Sequence, residues 1–252
     1  MYINLAGLTV LVTGASRGIG HAIASRLGEA GATIAAHYSS HRKGAEGLVY
    51  EIGNDSKSFK ADLSNMEEVR KLFIRVMDEY EGIDVLINNA GVAIKSDPGK
   101  DHESWLSDWE KTMAVNLTAP ALLSKMAVQH FLKRGGGRII NISSRAAFRG
   151  DTMEYQAYAA SKGGLVSLTR SLARAYGKQG VKAFNIAPGF TKTDMAQDFI
   201  DAYGEDFATK DIALERLTEP KDIAPLVVFL ASGMADHATG GTFDMNAGSY
   251  VH

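Results

Sequence analysis

The sequence predicts an α/β fold, a doubly wound parallel β-sheet of about seven strands flanked by helices on both faces. Three observations carry this. Short apolar, β-branched runs alternate with longer amphipathic stretches from end to end. The short runs are apolar throughout, as strands covered on both faces are. The chain has 252 residues and shows no repeat, linker or low-complexity tract. It therefore reads as one domain over 1–252, able to bury roughly three quarters of its unfolded surface.

The elements follow in order. "LTVLVTG" is a first strand closed by glycine, and "GHAIASRLGEAG" places Ile23 and Leu27 on one helical face. "ATIAAHY" and "SKSFKAD" are the next strands. "MEEVRKLFIRVMDEY" puts Val69, Leu72, Phe73 and Val76 on one face, with Ser64 and Asn65 as candidate caps. "IDVLINNAG", "GRIINISS", "VKAFNIAPG" and "GTFDMNAG" supply the remaining strands. The stretch 195–217 reads as a mobile helical lid.

Composition narrows the function. Net charge is −2 without a basic block, which speaks against a nucleic-acid or anionic-membrane surface. There is no cysteine, so disulfides, thiolate metal sites and a thiol nucleophile are excluded. The histidines lack metal-ligand spacing, and no metal is expected. No G-x-S-x-G elbow is present. The apolar N-terminus lacks a basic leader, and no run is long enough to span a bilayer. A soluble cytoplasmic protein is the expectation.

The first strand runs into "TGASRGIG", residues 13–20, with glycines at 14, 18 and 20. Gly14 permits a sharp turn; Gly18 and Gly20 let the helix start approach a ligand and the sheet. The helix end offers N–H groups to an anion, which fits a dinucleotide pyrophosphate. Further on, Tyr158 is the one tyrosine with a lysine, Lys162, four residues later. Residues so spaced share a helix face, and an ammonium beside a phenol favours the phenolate. Small residues surround the pair. "NISSR" offers Ser143 and Ser144 at a strand end, either able to steady charge on a substrate oxygen. Asn116 is an unfavourable residue inside a helix unless it is used.

A TGxxxGxG loop, an NNAG strand end and a YxxxK pair, in this order over essentially the whole chain, resemble the classical short-chain dehydrogenases/reductases, with likeness to the 3-oxoacyl-(acyl-carrier-protein) reductases. The resemblance implies a Rossmann-type fold and hydride transfer between a nicotinamide cofactor and a ketone or secondary alcohol (EC 1.1.1.-). It makes Tyr158 the general acid/base, Lys162 its partner and a ribose ligand, and Ser144 the favoured serine. It also has Asn116 bend its helix and relay protons to Lys162 through water. Cofactor contacts are implied at Gly14, Ser16, Arg17, Gly18, Ile19, Gly20, Asp62, Leu63, Asn89, Ala90, Gly91, Pro188, Gly189, Thr191 and Thr193.

At the second strand end, Tyr38 stands where an NAD enzyme carries aspartate, and no acid follows until Glu46. Ser39, Ser40 and Arg42, with Arg17, suit a 2′-phosphate, so NADP(H) is expected over NAD(H). Substrate contacts are expected from Ser144, Arg145, Phe148, Tyr155 and Phe190. The leading expectation is a small-molecule ketone/alcohol oxidoreductase. Second is a 3-oxoacyl thioester reductase of fatty-acid synthesis: Gln129 and Gln179 lie on the helices where such enzymes carry carrier-docking cations, with Lys133, Arg134 and Lys178 close by. A nicotinamide-binding regulator without catalysis is third. The family also implies a homotetramer, with helices around 104–133 and 155–178 as dimer faces and the C-terminal "TGGTFDMNAGSYVH" as a second interface.

Overall fold

The structure, a computed structural model, describes residues 3–194, 196, 200, 204 and 209–251. Seven parallel strands form one sheet: β1 Thr9–Val12, β2 Thr33–Tyr38, β3 Lys57–Lys60, β4 Val85–Asn88, β5 Gly137–Ile142, β6 Val181–Pro188 and β7 Thr242–Met245. Their order is β3-β2-β1-β4-β5-β6-β7. The longer helices between them are α1 Gly18–Glu29, α2 Arg42–Ile52, α3 Met66–Tyr80, α4 His102–Met113, α5 Ala119–Arg134, α7 Gln156–Tyr176 and α8 Pro220–Ala231. A short α6 spans Ala146–Arg149.

Side-chain alternation sorts the core onto two faces. Val10, Val12, Ile34, Ile140 and Phe184 pack with Ile23 and Leu27 of α1, Leu48 of α2 and Val227 of α8. Their neighbours Leu11, Ala35, Ile139 and Ala183 point the other way, onto Val69, Leu72 and Val76 of α3, Leu123 of α5 and Leu172 of α7. Ile23 and Leu27 are fully buried, each contributing about 1.5–3 kcal/mol of transfer free energy. Of the two candidate caps Asn65, not Ser64, caps α3, accepting from the N–H groups of Glu67 and Glu68.

The winding changes direction between β1 and β4. Loops leaving these two strands diverge and open a crevice at the carboxyl ends of the sheet. The sequence-predicted lid lies largely outside the described residues, since 195, 197–199, 201–203 and 205–208 are not among them; 212–217 forms neither helix nor strand.

Candidate active site

The crevice deepens into a cavity of about 580 Å³. Every sequence-predicted site residue lines it except Tyr38, Arg42, Asn116 and Phe148. That volume falls in the ordinary range for small-molecule and cofactor sites.

The glycine turn forms one end. Gly14 and Gly18 have φ of +67° and +58°, where a side chain would be strained. Gly20 answers to close approach instead: a Cβ there would lie 2.2 Å from the Gly14 carbonyl oxygen and 2.3 Å from Asn89 Nδ2. Asn89 Nδ2 donates to the carbonyls of Thr13 (2.9 Å) and Gly14 (3.2 Å). The N–H groups of Asn89 and Ala90 donate to Thr13 Oγ1 at 2.9 and 3.0 Å. The loops after β1 and β4 are thereby tied together. Helix α1 opens into this end with no side-chain cap. A shaped glycine cradle under an uncapped helix start fits a dinucleotide's pyrophosphate.

His37 was not anticipated. It is buried, and its Nδ1 accepts from Gly14 N–H at 3.0 Å. Nε2 therefore carries the proton and donates to the Ala61 carbonyl at 3.1 Å. Burial pushes its pKa down to about 4. Strand alternation turns His37 to the loop and buries Tyr38 away from the cavity, which corrects the expected role of Tyr38. Arg42 is also withdrawn, paired with Glu46 at 2.7 Å on α2. Ser39, Ser40 and His41 remain on the wall. Arg17 reaches Asp194 at 2.9 Å across the rim. Asp62 holds the Ser64 N–H and hydroxyl at 2.9 and 2.8 Å, which lowers its pKa. The hydroxyls of Thr191 and Thr193 donate to the carbonyls of Gly189 and Thr191.

At the other end stand Tyr158 and Lys162, one turn apart on α7. Lys162 Nζ donates to the Ile142 carbonyl at 2.9 Å and lies 5.7 Å from the centroid of the Tyr158 ring. The expected lowering of the tyrosine pKa is not found. Burial pushes Tyr158 up to about 12, opposed by a hydrogen bond with Ser144, and pushes Lys162 down to about 8. Two buried groups each resist their charged form, and the ammonium is engaged by a carbonyl. The two serines also separate. Ser143 Oγ donates to the Ile186 carbonyl at 3.1 Å and accepts from Asn185 Nδ2 at 2.9 Å, so it belongs to the sheet end. Ser144 is the one close enough to Tyr158 to draw its pKa down against burial.

Asn116 lies behind the wall in a π-helical turn, Ala114–Thr118, that interrupts the stretch between α4 and α5. Its Oδ1 accepts from Val92 N–H at 2.8 Å; its Nδ2 donates to the Val92 carbonyl at 2.9 Å and Ser161 Oγ at 3.1 Å. A Cβ on Gly91 would sit 3.3 Å from both Asn116 Oδ1 and Lys162 Nζ. Arg145, Ala146 and Arg149 share the cavity face of the α6 turn, which leaves Phe148 off the wall. Among the described residues no cluster of histidine and acid side chains could hold a metal, and no helix is long and apolar enough to cross a membrane.

A glycine cradle, a tyrosine–lysine turn and a serine around one crevice at the switch point define a nicotinamide-dependent dehydrogenase class of site. A family model described as enoyl-(acyl carrier protein) reductase matches residues 14–249. The 3-oxoacyl-(acyl-carrier-protein) reductase FabG of Vibrio cholerae is 36% identical over 99% of this chain and 100% of its own. The 3beta-hydroxysteroid dehydrogenase 1 of Eggerthella lenta is 36% identical over 100% and 97%. A short chain dehydrogenase from Burkholderia cenocepacia, solved in complex with NADP, superposes with a TM-score of 0.90 at 32% identity over 98% and 99% of the two chains. The chain belongs to the short-chain dehydrogenase/reductase family of oxidoreductases.

Proposed function

We propose that this protein is an NADP(H)-dependent oxidoreductase that interconverts a ketone and a secondary alcohol. The observation that carries it is the gathering of Ser144, Tyr158 and Lys162 on the same cavity as the glycine turn. The nicotinamide, when bound, supplies or accepts the hydride. Gly14, Gly18, Gly20 and the α1 end would hold the pyrophosphate, and Asn89, Ala90, Gly91 and Lys162 would hold the nicotinamide half. Tyr158, kept neutral by burial, gives its proton to the carbonyl oxygen during reduction and takes it back during oxidation. Ser144 donates to the same oxygen as charge gathers there. Asn116 fixes the π turn and the Val92 backbone behind Lys162.

NADP(H) is favoured over NAD(H) because the β2 end presents Ser39, Ser40 and His41 to the cavity and no carboxylate. The NADP held by the Burkholderia relative supports the same choice. A small-molecule substrate, a homotetramer and a cytoplasmic setting belong to this reading, and light scattering tests the assembly. The second reading, 3-oxoacyl thioester reduction, is favoured by the identity to the Vibrio reductase, and the exposed Lys133 and Lys178 lie near the uncharged Gln129 and Gln179.

The decisive assay follows NADPH absorbance with a panel of ketones and 3-oxoacyl thioesters. Tyr158→Phe is expected to lower turnover by roughly a thousandfold while NADPH binding persists. Full activity in that variant would overturn the assignment.

A further inference from the structure

Arg145 follows Ser144 directly, and its main chain is pinned where its N–H donates to the Pro188 carbonyl at 2.9 Å. The residue is 7% exposed, yet it lines the substrate end of the cavity. Its guanidinium lies 4.8 Å over the Phe190 ring, and its Nη1 is buried with no hydrogen-bond partner. The neighbouring Arg149 is already paired with Asp211 at 3.3 Å. Asp211 and Asp151 act on Arg145 only through space, the Asp151 carboxylate accepting from Thr152 N–H at 2.8 Å. A buried cation with an unused donor is costly, and it is kept where a ligand completes it.

We propose that Arg145 receives a carboxylate on the substrate, so that the molecule turned over is a keto acid or hydroxy acid. This rests on the oxidoreductase reading above. A guanidinium edge matches a planar carboxylate in a forked pair. Phe190 holds the guanidinium plane, and Ser144 lies one residue away to take the reacting oxygen of the same small molecule. Asp151 on the same wall makes a singly charged acid more welcome than a phosphate dianion. The cofactor's own phosphates belong at the α1 end of the cavity.

The test uses 3-oxobutanoate, 4-oxopentanoate and 5-oxohexanoate, each beside its methyl ester, with dihydroxyacetone phosphate as the phosphate arm. Calorimetry in the presence of NADP⁺ reads binding without reduction, and NADPH oxidation reads turnover. At one chain length the acid is expected to bind roughly 50-fold more tightly than its ester, the effect of one charge-assisted pair. Arg145→Met brings that ratio close to unity, and Arg145→Lys leaves it in between. NADPH fluorescence checks that both variants fold. Equal binding of acid and ester by the wild type overturns the proposal, as does an unchanged acid-to-ester ratio in Arg145→Met or a preference for the phosphate. If the acids bind through Arg145 while no ketone or ester is ever reduced, the oxidoreductase reading fails and the anion site stands.

Discussion

At neutral pH Tyr158 keeps its proton, since burial pushes the phenol up to about 12. It is therefore ready as an acid in the reductive direction. Lys162, pushed down to about 8, still carries a proton at neutral pH and gives it up readily. Neither value could be read from spacing, which shows that two side chains share a face but not what covers them. Cofactor choice also belongs to single residues. Ser39 lines the cavity where Tyr38 was expected to, so an acid placed at 39 would face the 2′-phosphate. Ser39→Asp is expected to shift the ratio of NADPH to NADH dissociation constants roughly 50-fold toward NADH, a like-charge penalty of a few kcal/mol. Fluorescence titration of both coenzymes checks this; an unchanged ratio would put the 2′-phosphate elsewhere.

Between strands the decisive contacts come from register. Asn88, Asn141 and Asn185 are level across β4, β5 and β6, close to the carboxyl ends that carry the site. Asn88 Nδ2 donates to Asn141 Oδ1 at 2.8 Å, and Asn141 Nδ2 donates to Thr169 Oγ1 of α7 at 2.8 Å. The row binds the sheet to the helix that presents Tyr158 and Lys162. Asn141→Leu leaves the Asn88 amide with Ser124 Oγ alone, at 3.2 Å, removes the donor to Thr169, and should cost about 3 kcal/mol. For a chain of this size that lowers Tm by roughly 6–12 °C, measured by calorimetry. A Tm within a degree of wild type would mean that the rung carries no stability. The strand and helix order was legible because doubly buried strands and amphipathic helices have unmistakable periods. The glycine turn and the Tyr158–Lys162 turn were legible because both are local. The asparagine rung was not, since it joins residues some 50 apart in sequence. The bend at Asn116 was expected through the family resemblance alone; its hold on the Val92 backbone, 24 residues upstream, was not.

Across the whole molecule, the response to acid turns on His37, where β1, β2 and the segment after β3 meet. In the folded state its pKa is about 4, against 6.5 for an unburied histidine. The unfolded chain thus binds the extra proton first as pH falls. The stability that neutral His37 contributes is complete above pH 6.5 and is lost as pH falls through about 4; it amounts to about 3 kcal/mol at most. Protonated His37 could no longer accept from Gly14 N–H, so the cofactor turn loosens together with the fold. Carboxylates with lowered pKa values, such as Asp222 at about 2, lose their contribution at lower pH. Asp151, raised by burial, works in the opposite sense. Urea unfolding between pH 7 and 4.5 should therefore show stability falling with acid in the wild type. His37→Asn still offers an oxygen to Gly14 but cannot titrate, and its curve should be clearly shallower over that window, keeping the slope of His130, whose pKa burial also lowers. An equal slope in both proteins would assign the acid response to other groups and leave His37 a neutral link between the cofactor turn and the sheet.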